Sequence, residues 1–93
     1  MELMEERVLR SFRKYMSKSK RIQHLDLFAS FDNTWGKNDV YECVVEDSRI
    51  DGPAWNVVCD AFGNVYKVFK LGGYYENIRN YKEVRWFREN CNT

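Results

Sequence analysis

The sequence predicts a single small α+β domain, in which an N-terminal helix and a C-terminal helix flank an antiparallel sheet of three or four strands. Apolar residues recur at helical spacing near both ends of the chain, and they alternate with polar residues over its middle. The segment Asp60-Ala61-Phe62-Gly63 separates two alternating stretches in the manner of a hairpin turn. Because 44% of the 93 residues are hydrophobic, one core is expected over residues 1–93, in the order α-β-β-β-β-α.

Residues 2–17 are predicted to form the first helix. Their apolar positions lie three or four residues apart and fall on one stripe: Met4, Val8, Leu9, Phe12 and Met16. Three glutamates occupy the first turn and the cations follow, an order that suits the helix dipole. The stripe is therefore expected to pack against the sheet.

Two strands are predicted before the hairpin. Residues 22–29 favour a strand because apolar and polar side chains alternate there, although the apolar Phe28 interrupts the pattern. Residues 40–46 also predict a strand, one face of which carries Val40, Glu42, Val44 and Glu46. The other face of that strand carries Tyr41, Cys43 and Val45, and the apolar positions of the first stretch are Leu25, Leu27, Ala29 and Phe31. The polar stretches 32–39 and 47–53 are predicted to be loops.

The strongest local signal is a hairpin formed by residues 54–60 and 64–71. Its turn fits a type I geometry followed by Gly63 in the left-handed conformation. The predicted pairs are Cys59 with Val65, Val57 with Lys67, and Trp55 with Phe69. This register gives a core face of Trp55, Val57, Cys59, Val65 and Phe69.

The opposite sheet face is half apolar, because it carries Val44, Val58, Tyr66 and Val68. An apolar patch of this kind either binds a partner or lies beneath another part of the chain. The sequence leaves both interpretations open.

Residues 75–90 resume a helical period and predict the C-terminal helix. The stripe consists of Ile78, Tyr81, Val84, Phe87 and Cys91. Trp86 falls outside this stripe, so packing on the sheet does not explain it.

Charge is strongly segregated along the chain. Residues 1–21 carry seven Lys/Arg and three Glu, residues 22–66 carry two Lys/Arg and eight Asp/Glu, and residues 67–93 carry six Lys/Arg and three Glu. The formal net charge of +1 therefore conceals two basic ends and an acidic middle. Such a distribution predicts a charged partner.

A protein partner is the leading expectation. Trp35 lies in a polar loop, Trp86 lies off its helical stripe, and Tyr66 lies on the outer face of the hairpin. Exposed Trp, Tyr and Arg side chains are enriched at the centres of protein interfaces. The predicted partner-binding residues are Trp35, Tyr66, Trp86, Arg85 and Arg88. The hairpin edge, residues 64–71, offers a further route to a homodimer.

Nucleic acid is the alternative partner, bound through the two basic helices. Clustered cations on one helix can follow a phosphate backbone. On the first helix the candidates are Arg7, Arg10, Arg13, Lys14 and Lys18. A solvated helix face explains the same residues without any ligand.

The remaining sites that the residue types suggest are weak. The single His24 lies in no catalytic motif, and Gly72-Gly73 lacks the residues of a phosphate loop. The spacing of Cys43, Cys59 and Cys91 fits neither a zinc knuckle nor a disulfide framework. We therefore expect no enzymatic activity, no metal and no cofactor.

The lengths of the apolar runs and the N-terminal residues indicate where the protein is expected to act. No apolar run reaches the length of a membrane span, and the acidic N-terminus does not resemble a secretory signal, so we expect a cytoplasmic protein that binds no membrane. The expected function is a small non-catalytic protein-interaction domain. It would act as a stand-alone regulator or inhibitor, such as an accessory protein encoded by a virus or mobile element.

Overall fold

Four consecutive strands form one open antiparallel sheet in the order β1-β2-β3-β4. The computed structural model describes residues 2–31, 40–49, 52–72, 81–83, 85, 86, 89 and 90. The elements are α1 (Met4–Tyr15), α2 (Lys20–Gln23), β1 (Leu27–Phe31), β2 (Tyr41–Asp47), β3 (Ala54–Cys59) and β4 (Val65–Lys70). The described residues between 81 and 90 are helical and form a short C-terminal helix, α3. The predicted α+β class is confirmed.

Helix α1 packs on one face of the sheet through the predicted stripe. Val8 and Phe12 are fully buried, and Met4, Leu9 and Met16 pack around them. At the start of the helix, the Leu3 N–H donates to Glu6 Oε2 at 3.4 Å, which satisfies one of the free backbone donors of the first turn. Within the described residues, no helix is long and apolar enough to cross a lipid bilayer.

The strand predicted over residues 22–29 begins later than expected. Residues 20–23 form α2, whose N-cap Ser19 accepts a hydrogen bond from the Ile22 N–H at 3.4 Å. This cap and the burial of Ile22 favour a helical turn over an extended chain. The alternation holds from Leu27 onward, and Phe28 points to the exposed face of β1.

Arg13 holds the chain that follows α2 against the end of α1. Its guanidinium donates to the carbonyl oxygens of Ile22 and Leu25, both at 3.0 Å, and to that of Gln23 at 3.3 Å. In return, Gln23 Nε2 donates to the Arg13 carbonyl at 2.9 Å. The fork of the guanidinium therefore joins three carbonyl groups at the end of α2 and just beyond it.

Arg13→Lys is expected to lower the free energy of unfolding by about 1–3 kcal/mol, although the charge is kept. A lysine ammonium lacks the planar fork that reaches several carbonyls at once. Urea unfolding monitored by circular dichroism measures the change, with Lys14→Arg as a control at an exposed position of α1. Equal stability of Arg13→Lys and the parent would show that these hydrogen bonds are not needed for folding.

The turn between β3 and β4 has the predicted geometry. Gly63 adopts φ +86°, and its N–H donates to the Asp60 carbonyl at 3.1 Å. The Asp60 carboxylate accepts from the N–H groups of Phe62 at 2.8 Å and Asn64 at 2.9 Å. Burial alone would raise the pKa of Asp60, but hydrogen bonds from the Asn64 side chain and the turn N–H groups outweigh it and lower the pKa.

The predicted register of the hairpin is correct only next to the turn. Cys59 pairs with Val65 as predicted, but a β-bulge follows and Val58 pairs with Lys67. Tyr66 is the extra residue of the bulge, so every later pair is shifted by one. The observed pairs are Val57 with Val68, Asn56 with Phe69, and Trp55 with Lys70.

Because of the bulge, two side chains lie on the faces of the sheet opposite to those predicted. Val68 packs on the α1 side, where Phe69 was expected, and Phe69 lies on the opposite side. There it forms a second buried cluster with Val40 and Val58, against which Tyr66 packs. The interpretation of this face as an exposed patch is therefore wrong at Val58, which is fully buried, and at Val68, which lies on the other face.

Candidate interaction site

A solvent-open pocket of about 200 Å³ lies where α1, α2 and the beginning of β3 meet. Apolar side chains form most of its lining, and polar and charged ones stand around them. The lining residues are Met16, Ser19, Arg21, Ile22, Leu25, Pro53, Trp55 and Lys70. The pocket therefore combines an apolar interior with two cationic side chains.

Contacts behind the pocket fix its walls. Trp55 is only 5% exposed, and its ring packs at 5.1 Å between centroids against the ring of Phe12. The Pro53 carbonyl accepts from the Asp47 N–H at 3.0 Å. The Arg13 hydrogen bonds hold Leu25 in place. These contacts come from the protein's own core, so the pocket exists before anything binds.

The chain around the pocket is basic. Residues 7–25 contain seven Lys/Arg and no Asp or Glu. Lys14, Lys18, Lys20 and Arg21 are exposed. A neighbouring surface depression, lined by residues 15–19, includes Lys18 and shares Met16 and Ser19 with the pocket. The positive surface is thus continuous with the apolar interior.

Carboxylates lie on the other side of Leu25 and Arg21. These two residues also line an adjacent open cleft, together with His24, Asp26, Asp47, Ser48 and Arg49. The Asp47 side chain is 2% exposed and pairs with Arg49 at 2.7 Å. Asp26 Oδ2 accepts from the Ser48 hydroxyl at 3.1 Å. Positive charge therefore dominates on the Lys18 side and declines towards Asp26.

The predicted partner-binding residues occupy different places. Trp86 is exposed, at 59%, on α3, and Arg85 on the same helix pairs with Glu89 at 3.1 Å. Tyr66 is half-buried against the Val40 cluster, on the sheet face opposite α1. Trp35 and Arg88 lie outside the described residues.

The hairpin edge predicted for a homodimer is an edge of the sheet, because β4 is the last strand. The bulge at Tyr66 and the two lysines of this strand are features that discourage pairing between edges. Dimerisation through β4 stays a prediction.

The predicted nucleic-acid residues divide into two groups. Arg7 and Arg10 form ion pairs with Glu2, and Arg13 is engaged by backbone carbonyls. Lys14 and Lys18 are exposed, and neither forms an ion pair with a carboxylate in the described part of the chain. Of these two lysines, Lys18 lines the depression beside the pocket.

The described cysteines are buried as core residues. Cys43 and Cys59 are free thiols beneath α1, and their mutual hydrogen bond together with burial raises the pKa of Cys43. His24 is exposed after α2. No cluster of potential metal ligands occurs among the residues that the structure describes, and Cys91 lies outside them.

The pocket was not predicted from the sequence. The sequence pattern predicts core positions for Met16 and Trp55 and a strand position for Leu25. The available signal was the absence of carboxylates over residues 7–25, but the pattern does not show that α2 folds back beside β3. Comparisons with protein-family models, with curated proteins and with solved structures find no match for this chain.

Proposed function

We propose that this protein is a small non-catalytic protein-interaction domain that holds a segment of a partner protein in the pocket between α2 and β3. The observation that carries the proposal is the pocket itself: a preformed apolar interior next to exposed cations. Binding sites in proteins typically combine apolar walls with a few charged groups that orient the ligand. The protein acts as a stand-alone regulator or inhibitor by occupying a surface of its partner, as accessory proteins of viruses and mobile elements do.

The rigidity of the pocket supports this role. Because Phe12, Arg13 and Asp47 fix its walls through the core, a partner would meet a site that needs little ordering on binding.

The exposed Trp86 and Arg85 on α3 supply a second set of anchor residues, with Trp35, Tyr66 and Arg88 as further candidates. The free thiols of Cys43 and Cys59 support a reducing compartment, and the cytoplasm is part of the proposal.

Nucleic-acid binding is the alternative, and it has less support. Three of its five predicted cations, Arg7, Arg10 and Arg13, are engaged within the protein. Of the two that remain exposed, Lys18 lines the depression that adjoins the apolar pocket, and a phosphate backbone would not use such a pocket.

Site-specific photo-crosslinking tests the proposal. A benzophenone amino acid is placed at Met16 or Leu25 in the pocket, and in a control at Phe62, an exposed residue beyond the opposite end of β3. In extracts of the organism that encodes the chain, both pocket positions are expected to crosslink to the same protein. Equal crosslinking from Phe62, or no crosslinked protein from either pocket position, would contradict this site.

A further inference from the structure

We infer that the partner segment is an acidic peptide, of which one large apolar side chain enters the pocket while neighbouring Asp or Glu residues contact Lys18, Lys20 and Arg21. This inference rests on the proposed function and adds the chemistry of the partner. It follows from three properties of the site: the nature of its walls, the charge around them, and the direction in which that charge changes.

The walls select an amino-acid side chain rather than a nucleobase. The partly exposed apolar residues of the lining, Met16, Leu25 and Pro53, are all aliphatic, whereas Ile22 is 6% exposed. The one aromatic residue, Trp55, uses its ring against Phe12 and is 5% exposed. Proteins that bind single-stranded nucleic acid present open aromatic faces on which bases stack. Here the ring face is occupied, whereas the aliphatic walls suit a Leu, Met or Phe side chain.

The charge around the walls selects an acidic neighbour for that side chain. No carboxylate interrupts residues 7–25, so no acidic side chain in this stretch neutralises Lys18, Lys20 and Arg21. The depression lined by residues 15–19 connects Lys18 to the pocket through Met16 and Ser19. A peptide seated in the pocket would thus run directly over cations. Complementary charge of this kind raises the association rate and fixes the orientation of the ligand.

The charge gradient also sets a direction for the peptide. Beyond Leu25 the surface includes Asp26 and the Asp47–Arg49 ion pair. An acidic residue of the peptide would be repelled by Asp26 and would find Arg49 already paired with Asp47. The carboxylates of the peptide are therefore expected on the side of the anchor residue that faces Lys18. The side that faces Asp26 is expected to be neutral or basic.

Selection from a library of random peptides displayed on phage tests this inference with the full chain as bait. Enriched peptides are expected to share a large apolar residue with Asp or Glu on one side of it. Their affinity, measured by fluorescence anisotropy, should fall as salt rises. Lys18→Glu and Arg21→Glu should each weaken binding about tenfold. Lys67→Glu, which makes the same charge change on the sheet face opposite α1, should leave binding unchanged.

The outcomes separate the inference from the proposed function. If neutral or basic peptides are enriched and Leu25→Glu abolishes their binding, the pocket is a protein-interaction site but the acidic partner is wrong. If no peptide is enriched, or if only a fluorescent oligonucleotide binds and Lys18→Glu removes that binding, both the inference and the proposed function are wrong. Circular dichroism of each variant must match that of the parent chain.

Discussion

Trp55→Ala is expected to lower the free energy of unfolding by about 3–5 kcal/mol, which approaches the whole stability of a small domain. The Trp55 ring is buried in the main core behind the pocket, where it is tilted by 54° against Phe12. Removing it leaves a cavity that the surrounding residues cannot fill. Equilibrium unfolding in urea, monitored by far-ultraviolet circular dichroism, measures the loss.

Phe62→Ala is the matched control for this experiment. It also removes an aromatic ring, but Phe62 is 69% exposed on the turn between β3 and β4, so the expected change is within about 0.5 kcal/mol. If Trp55→Ala were as stable as Phe62→Ala, the sheet face covered by α1 would not be the principal core.

Gly63→Val is expected to destabilise the protein by about 2 kcal/mol or more, through two separate effects. Gly63 adopts φ +86°, which a β-branched residue strongly resists. In addition, a Cβ atom at this position would lie 2.8 Å from Arg7 Cβ and 3.3 Å from the Val8 backbone nitrogen. Thermal and urea unfolding of the variant are the measurements.

Gly63→Asn separates the two effects. Asparagine tolerates the left-handed conformation far better than valine, but its Cβ meets the same atoms of α1. We therefore expect Gly63→Asn to be destabilised by less than Gly63→Val and to remain below the parent in stability. A variant with asparagine that equals the parent would show that α1 moves away from the turn at no cost.

The elements with strong local signals could be predicted from the sequence. The stripe of α1 and the alternation of β2 each reflect one dominant period, and the turn at Gly63 follows from a short run of residues with known backbone preferences. The bulge at Tyr66 could not be predicted, because counting alternate positions assumes that each residue of one strand opposes one residue of the next. The extra residue at the bulge is therefore the reason why the predicted sheet faces of Val68 and Phe69 are both wrong.

Less of the candidate site could be predicted from the sequence. The exposure of Trp86 was anticipated because the residue departs from a helical stripe. By contrast, the pocket is lined by both Leu25 and Pro53, which are distant in the chain. The role of Arg13 could not be predicted for the same reason. In the sequence it is one of several cations on α1, but in the structure its guanidinium donates to three backbone carbonyls that are distant in the chain.

The sheet order β1-β2-β3-β4 has a consequence for how the chain is assembled during synthesis. Each strand pairs with its neighbour in sequence, so the sheet can grow hairpin by hairpin as residues leave the ribosome. Helix α1 is made first, yet its Ser11 hydroxyl accepts from the Val65 N–H, 54 residues later in the chain. The Gly63 turn that packs against Arg7 is also made late. Helix α1 can therefore contact β1 as soon as that strand is made, but its contacts with the Gly63 turn and with Val65 form only when the last hairpin is complete.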